Sequence, residues 1–132
     1  MGTGSVVTNN GLKIVLNRAF KATPDYLAPT KFKIGTGTTT PDATDTDVET
    51  GVNINGGATK SFVSGYPTFD ETNHQVTIRC FLTTVEGNTN NITELGLFNE
   101  DGTPLMYSHA VFTAISKTSS VEVSFVQKDK IE

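Results

Sequence analysis

The chain has 132 residues, enough for one domain whose core needs no disulfide or metal staple. Its net charge is −4 with a sequence pI near 5.1, and ten Lys and Arg are spread along the length. No positive field gathers phosphates, so a nucleic-acid partner is not expected. A single Cys, Cys80, excludes an internal disulfide and any multi-cysteine zinc site.

No apolar run approaches the ~18 residues that cross a bilayer as a helix, so no membrane partner is expected. The run Met1-Gly2-Thr3-Gly4-Ser5 has neither the basic segment nor the apolar core of a signal peptide. One residue in six is Thr, with Gly and Asn abundant beside Val and Ile. Thr and the β-branched residues suit a pleated surface, and Gly and Asn suit sharp turns. The composition therefore predicts a mostly β chain.

The amino-terminal stretch departs from that bias. Leu12, Val15, Leu16, Ala19 and Phe20 recur at helical spacing, which predicts one short helix over about 11–21 with that stripe as its buried side. Thr8, Asn9 and Asn10 supply a cap, and Thr23-Pro24 stops the helix. A helix this short needs apolar support. It either closes one side of a sheet or forms an arm that docks onto a neighbouring subunit.

Lys31-Phe32-Lys33-Ile34-Gly35 alternates as a strand with Phe32 and Ile34 inward. A polar loop over 36–50 follows, rich in Gly and Thr, expected at the surface, either solvated or contacting a partner. It lacks the Lys of a phosphate-binding loop. Its carboxylates Asp42, Asp45, Asp47 and Glu49 suggest at most a weak Ca²⁺ site, because the EF-hand pattern is missing. No other cofactor is expected.

Asn55-Gly56-Gly57 marks a turn, and Lys60 to Tyr66 reads as a strand ended by Pro67. His74 to Thr84 is the clearest strand, with Val76, Ile78, Cys80 and Leu82 inward. Phe81 breaks its polar side, so either the helix covers it or it lies in an interface. Ile92 to Phe98 is a further strand. Asp101-Gly102 then reads as a hairpin turn that sets register and requires positive φ at Gly102. Pro104 to Phe112 returns, with Leu105, Tyr107, His109 and Val111 on one side and Met106, Ser108, Ala110 and Phe112 on the other. Both sides are apolar enough for a strand covered twice. Val121 to Val126 is the last strand, and 127–132 is a charged tail. The elements together predict a single domain over 1–132, an antiparallel β-sandwich with Greek-key-like connections and one short N-terminal helix.

Candidate chemistry is sparse. Ser108 and His109 are adjacent on a strand and point to opposite faces, so they cannot form a nucleophile–base contact. His109 reads as a core-edge residue satisfied by one hydrogen bond, and Cys80 as an inert buried thiol. Glu94 and Asp101 flank a strand as a glycosidase pair would, but no aromatic sugar platform accompanies them. Glu94 needs a partner if it is covered. No enzyme is expected, and no catalytic or metal residue is assigned. Tyr66, Phe81, Tyr107 and Phe112 are candidate contact anchors, with Phe112 read first as core.

The segment Ile92-Thr93-Glu94-Leu95-Gly96-Leu97-Phe98-Asn99-Glu100-Asp101-Gly102-Thr103-Pro104-Leu105-Met106, followed by Phe112 and Ile115-Ser116-Lys117, resembles a strand–hairpin–strand of tailed-bacteriophage virion proteins. It is similar to the amino-terminal attachment domains of tail-collar and tail-fibre proteins. Lys31 to Pro41, with its Gly35-Thr36-Gly37-Thr38-Thr39, resembles a second segment of phage structural proteins. Where many relatives have an aromatic followed by proline, this chain reads Phe112-Thr113-Ala114-Ile115. It ends fifteen residues after Lys117, which points to a stand-alone adaptor or accessory component.

The resemblance implies a virion structural protein, assembled in the host cytoplasm and located in the particle. It would be a tail collar, baseplate-proximal or fibre-attachment component contacting other virion proteins, and a homo-oligomer, trimer or hexamer. The residue reading and the resemblance together mark Phe81, Glu94, Gly96, Phe98, Asp101, Gly102, Tyr107, Phe112 and Lys117 as interface or structural positions. The alternatives are a capsid decoration or head–tail connector, and a glycan or host-surface binding module.

Overall fold

Alternating apolar positions along most of the chain fold into two facing antiparallel sheets, seen in a computed structural model that describes residues 4–131. Met1, Gly2 and Thr3 of the amino-terminal run, and Glu132 of the tail, lie outside the described residues. The elements are β1 (Gly4–Val7), α1 (Asn9–Phe20), β2 (Lys31–Gly35), β3 (Lys60–Ser61), β4 (Thr68–Asp70), β5 (Gln75–Leu82), β6 (Asn90–Phe98), β7 (Met106–Lys117) and β8 (Val123–Lys130). One sheet has the order β1-β7-β6-β2-β3 and the other β4-β5-β8. The chain changes sheet between β5 and β6 and again between β7 and β8, so β8 returns beside β5 in the Greek-key manner. The fold is the mostly β, sandwich-like architecture that composition and periodicity predict.

The inward residues meet between the sheets. Phe32 and Ile34 of β2, Ile78, Cys80 and Leu82 of β5, and Ile92, Leu95 and Leu97 of β6 are all buried in one cluster. A smaller cluster of Val48, Phe98 and Met106 lies on the outer face of the larger sheet, beneath the 36–50 loop. β6 is therefore buried on both sides from Ile92 to Phe98, and β7 is buried from Met106 to His109.

Several boundaries differ from the sequence expectation for definite reasons. The strand read over Lys60 to Tyr66 is only Lys60–Ser61. Beyond it the chain leaves one sheet for the other, with the Phe62 amide donating to Thr30 O and the Val63 amide to Arg79 O. Of the tail read over 127–132, residues 127–130 are not free, because β8 continues through Lys130 and pairs with β5 back to Gln75. β1 has no periodic signal of its own and exists by pairing with β7.

The 99–105 connection is also not a tight Asp-Gly turn. The Asn99 side chain organises it, its carbonyl accepting from the Leu105 amide at 2.8 Å and its amide donating to Leu27 O at 3.1 Å and Asp101 at 2.8 Å. Gly102 sits in open space without positive φ, so the register does not depend on it.

The helix carries the largest correction. Thr8 caps it as expected, accepting from the Gly11 amide at 3.0 Å while donating to Met106 O at 2.6 Å. Yet the buried helix positions are Gly11 and Ile14, against β7. The stripe Leu12, Val15, Leu16, Ala19 and Phe20 faces away from the sheet and is exposed. The cause is close approach at Gly11. A Cβ there would run into the Tyr107 carbonyl oxygen, so the face that carries this glycine is the one that can lie on the strand.

Gly11→Ala is therefore expected to lower stability by about 1–3 kcal/mol, even though Ala is the better helix former. Gly102→Ala is expected to stay within about 0.5 kcal/mol of the parent. Equilibrium denaturation of the two variants checks both.

Candidate functional site

The feature that organises the outer face of the larger sheet is Glu94, a fully buried carboxylate. The β6–β7 ladder slips register between Ile92 and Glu94. Past the slip, Leu95 and Leu97 enter the core while Glu94 and Phe98 face the loop. A second slip leaves Tyr107 unpaired, since Leu97 pairs with Ser108 and Phe98 with Met106. Tyr107 and Ser108 consequently both reach β8: Tyr107 donates to Asp129 at 2.7 Å, and Ser108 accepts from Gln127 at 3.1 Å. His109 faces the opposite way, toward the loop. The even alternation read for Pro104 to Phe112 fails at this bulge.

Glu94 accepts four hydrogen bonds. The amides of Gly37, Glu49 and Thr50 donate at 2.7, 2.8 and 2.9 Å, and His109 Nε2 lies 2.8 Å away. Next to it, Thr93 donates to Gly37 O at 2.6 Å. Gly37 can come this close only because it lacks a side chain, since a Cβ would lie 2.5 Å from both Glu94 Oε2 and Glu49 Cβ. His109 Nδ1 meets Asp45 Oδ2 at 2.7 Å, so the ring bridges two carboxylates, one buried and one in the loop. His109 is thus satisfied by two carboxylates rather than the single hydrogen bond expected of a core-edge residue.

Burial alone pushes the Glu94 carboxyl up. The amides of Thr50 and Glu49, the His109 ring and the Gly37 amide outweigh it and hold Glu94 below its ordinary value of 4.5. Glu49, at the loop surface, is likewise lowered, chiefly by the Thr39 hydroxyl and then by the Thr39 and Thr38 amides. Cys80 lies on the far side in the core, where burial pushes its thiol up to about 12 and leaves it unreactive.

A cleft of about 350 Å³ opens above His109, lined by Thr39, Thr40, Thr44 and Thr46 with Asp45, Asp47 and Glu49. A general base needs a nitrogen lone pair free for substrate. Here both nitrogens face carboxylates, and Glu94 is enclosed by amide donors. The arrangement acts as a clamp: it holds the loop to the sheet through one carboxylate and one ring.

The remaining carboxylates are each occupied separately. Asp42 accepts from the Thr44 amide and hydroxyl, Asp47 from Lys33 and the Val48 amide, and Glu49 from the amides of Thr38 and Thr39 and from the Thr39 hydroxyl. Among the described residues no three His, Cys, Asp or Glu side chains are grouped to hold a metal ion. Glu94 and Asp101 share no partner, since Asp101 accepts from the Leu27 amide and Asn99.

The other marked residues separate into core and cover. Phe98 is buried under Lys33, whose Nζ stands 4.8 Å from the ring centroid. Gly96 lies between Lys33 and His109 in the ladders. Tyr107 is buried, and burial followed by Asp129 raises its hydroxyl pKa. Phe112 is half-buried and packs on Phe125 at 5.5 Å. Phe81 is covered by Lys60 and Arg79 rather than by the helix. Lys117 is buried, donating to Asn88 and Thr118 O, so it closes the 84–90 connection from inside. Sequence reasoning flagged Glu94 but missed Gly37, Glu49, Thr50 and His109 as its partners, and Asp45 as the second carboxylate on His109. The Gly37-Thr38-Thr39 run was the available signal, because it supplies close-approaching amides.

No protein-family model, no curated protein and no solved structure matches this chain.

Glu94→Ala strands three amides and the His109 ring, and is expected to cost about 3–5 kcal/mol. Glu94→Gln, which keeps one acceptor oxygen, is expected to cost about 1–3 kcal/mol. Because the folded-state pKa of Glu94 is depressed, its contribution is complete above the ordinary value of 4.5 and is lost as pH falls through the folded value. Denaturation midpoints measured through the acid range should fall more steeply for the parent than for Glu94→Gln.

Proposed function

We propose that this chain is a non-enzymatic structural component of a tailed-phage particle, a tail collar, baseplate-proximal or fibre-attachment protein that works by contact with other virion proteins. One observation carries the reading. The two segments that resemble phage structural proteins, Lys31 to Pro41 and Ile92 to Lys117, are far apart in sequence yet joined by the clamp. Thr93 and Glu94 of one hold Gly37 of the other, and His109 seals the junction.

The physical consequence supports an assembly role. A polar loop of fifteen residues, 36–50, would ordinarily be mobile, and binding would then cost its conformational entropy. Tied down by a buried carboxylate, the loop presents Thr hydroxyls and carboxylates on a stiff platform. Rigid, pre-shaped surfaces suit repeated contacts in a symmetric particle. The imidazole, the one side chain here suited to proton transfer near neutral pH, is spent on holding the loop.

Mass spectrometry and density maps of purified particles from cells that carry the sequence test the proposal. The chain is expected in symmetric copies at the tail. Density on the head surface would instead favour the decoration role, and absence from the particle would overturn both. Glu94→Ala, which releases the loop, is expected to reduce incorporation at least about tenfold through loss of the ordered surface.

A further inference from the structure

An exposed helix stripe lies beside an apolar groove. Leu16 of α1 is 61% exposed and Phe20 82%, on the side turned away from β7. Leu12 and Val15 continue the stripe. An amphipathic stripe of this spacing is ordinarily buried. Next to it lies an apolar groove of about 720 Å³, walled by Val15, Pro29, Phe69, Val76 and Ile131. Phe69 and Ile131, 74% and 68% exposed, stand at its margin. Large apolar side chains gathered this way mark a binding surface, and a groove of this kind accepts an amphipathic helix through anchors at i, i+3, i+4 and i+7.

Charge selects the occupant. The charged residues within α1 are Lys13 and Arg18, and the helix carries no acid; Lys21 at its end is paired with Asp25. The groove is bordered by Asp70, Glu71 and Asp129. An apolar stripe flanked by Lys13 and Arg18 and an apolar groove flanked by Asp70 and Glu71 therefore both belong to this chain, while Asp129 is taken up by Tyr107 and Gln127. Val15 lies in the stripe and in the groove wall, so the two patches are continuous. Two copies facing each other across a two-fold axis would present stripe to groove twice at once.

We propose that α1 docks in this groove of a second copy of the chain, reciprocally, with Phe20 and Leu16 as anchors. The inference rests on the assembly role proposed above and names one of its partners as the chain itself.

Analytical ultracentrifugation of the full chain over a concentration series tests it. The parent is expected to pass reversibly from monomer to dimer. Phe20→Gln and Leu16→Glu should each weaken the dimer about 30-fold or more. Both side chains lie outside the core, so circular dichroism and the thermal midpoint of the monomer should be unchanged. Lys13→Glu should weaken it about threefold, and Glu71→Lys in the same chain should restore it.

A parent that stays monomeric overturns the pairing, as does self-association indifferent to Phe20→Gln and Leu16→Glu. Capture of lipid vesicles or of a different protein by the stripe, without self-association, overturns it as well. A monomeric chain recovered from particles removes the pairing and leaves the assembly role. A dimer absent from particles supports the pairing and removes the role.

Discussion

A carboxylate without access to water must be given its hydrogen bonds by the protein, and around Glu94 that requirement shapes a whole face of the molecule. Three amides, from Gly37, Glu49 and Thr50, converge on it from the two ends of one loop, and His109 closes the remaining side. Both ends of the loop are therefore fixed by a single side chain. The middle is fixed by Asp45 through the same imidazole. Val48 is thereby placed over Phe98 and Met106, converting the outer side of a sheet into a second small core.

The clamp also accounts for the burial of β6 and β7 on both faces. Their inner residues meet the smaller sheet, and their outer residues meet the loop and α1. A strand covered twice has little freedom to shift register, because a slip by one residue exchanges its faces. The two irregularities in the β6–β7 ladder are what let an apolar core and a polar clamp share these strands. They send Tyr107 and Ser108 toward β8 while His109 goes to the loop.

The helix shows how local pattern and packing can disagree. Its apolar stripe is the stronger periodic signal, yet Gly11 and Ile14 form the contacting side because the β7 backbone comes close at Gly11. Chain-internal packing thus leaves Leu12, Leu16 and Phe20 outward, beside a groove of similar character. The clamped loop and the uncovered stripe lie on different parts of the surface. One is polar and tied down by hydrogen bonds; the other is apolar and uncovered.

Much of the architecture was legible in the residues themselves. Alternation gives β2 and β5 their inward faces, the recurrence of Leu and Val at helical spacing gives α1, and the run Thr8-Asn9-Asn10 marks its start, with Thr8 as the cap. These features depend on neighbours a few positions apart, so local periodicity carries them. Glu94 was legible as a residue in need of a partner, but its partners were not. Gly37, Glu49, Thr50 and His109 lie 57, 45, 44 and 15 positions away and meet it only when β2, β6 and β7 align. The outward turn of the helix stripe, the bulge at Tyr107 and the extension of β8 through Lys130 likewise follow from backbone approach and cross-strand pairing. Such contacts belong to the folded chain, because hydrogen bonding and close packing act on distance in space rather than along the sequence.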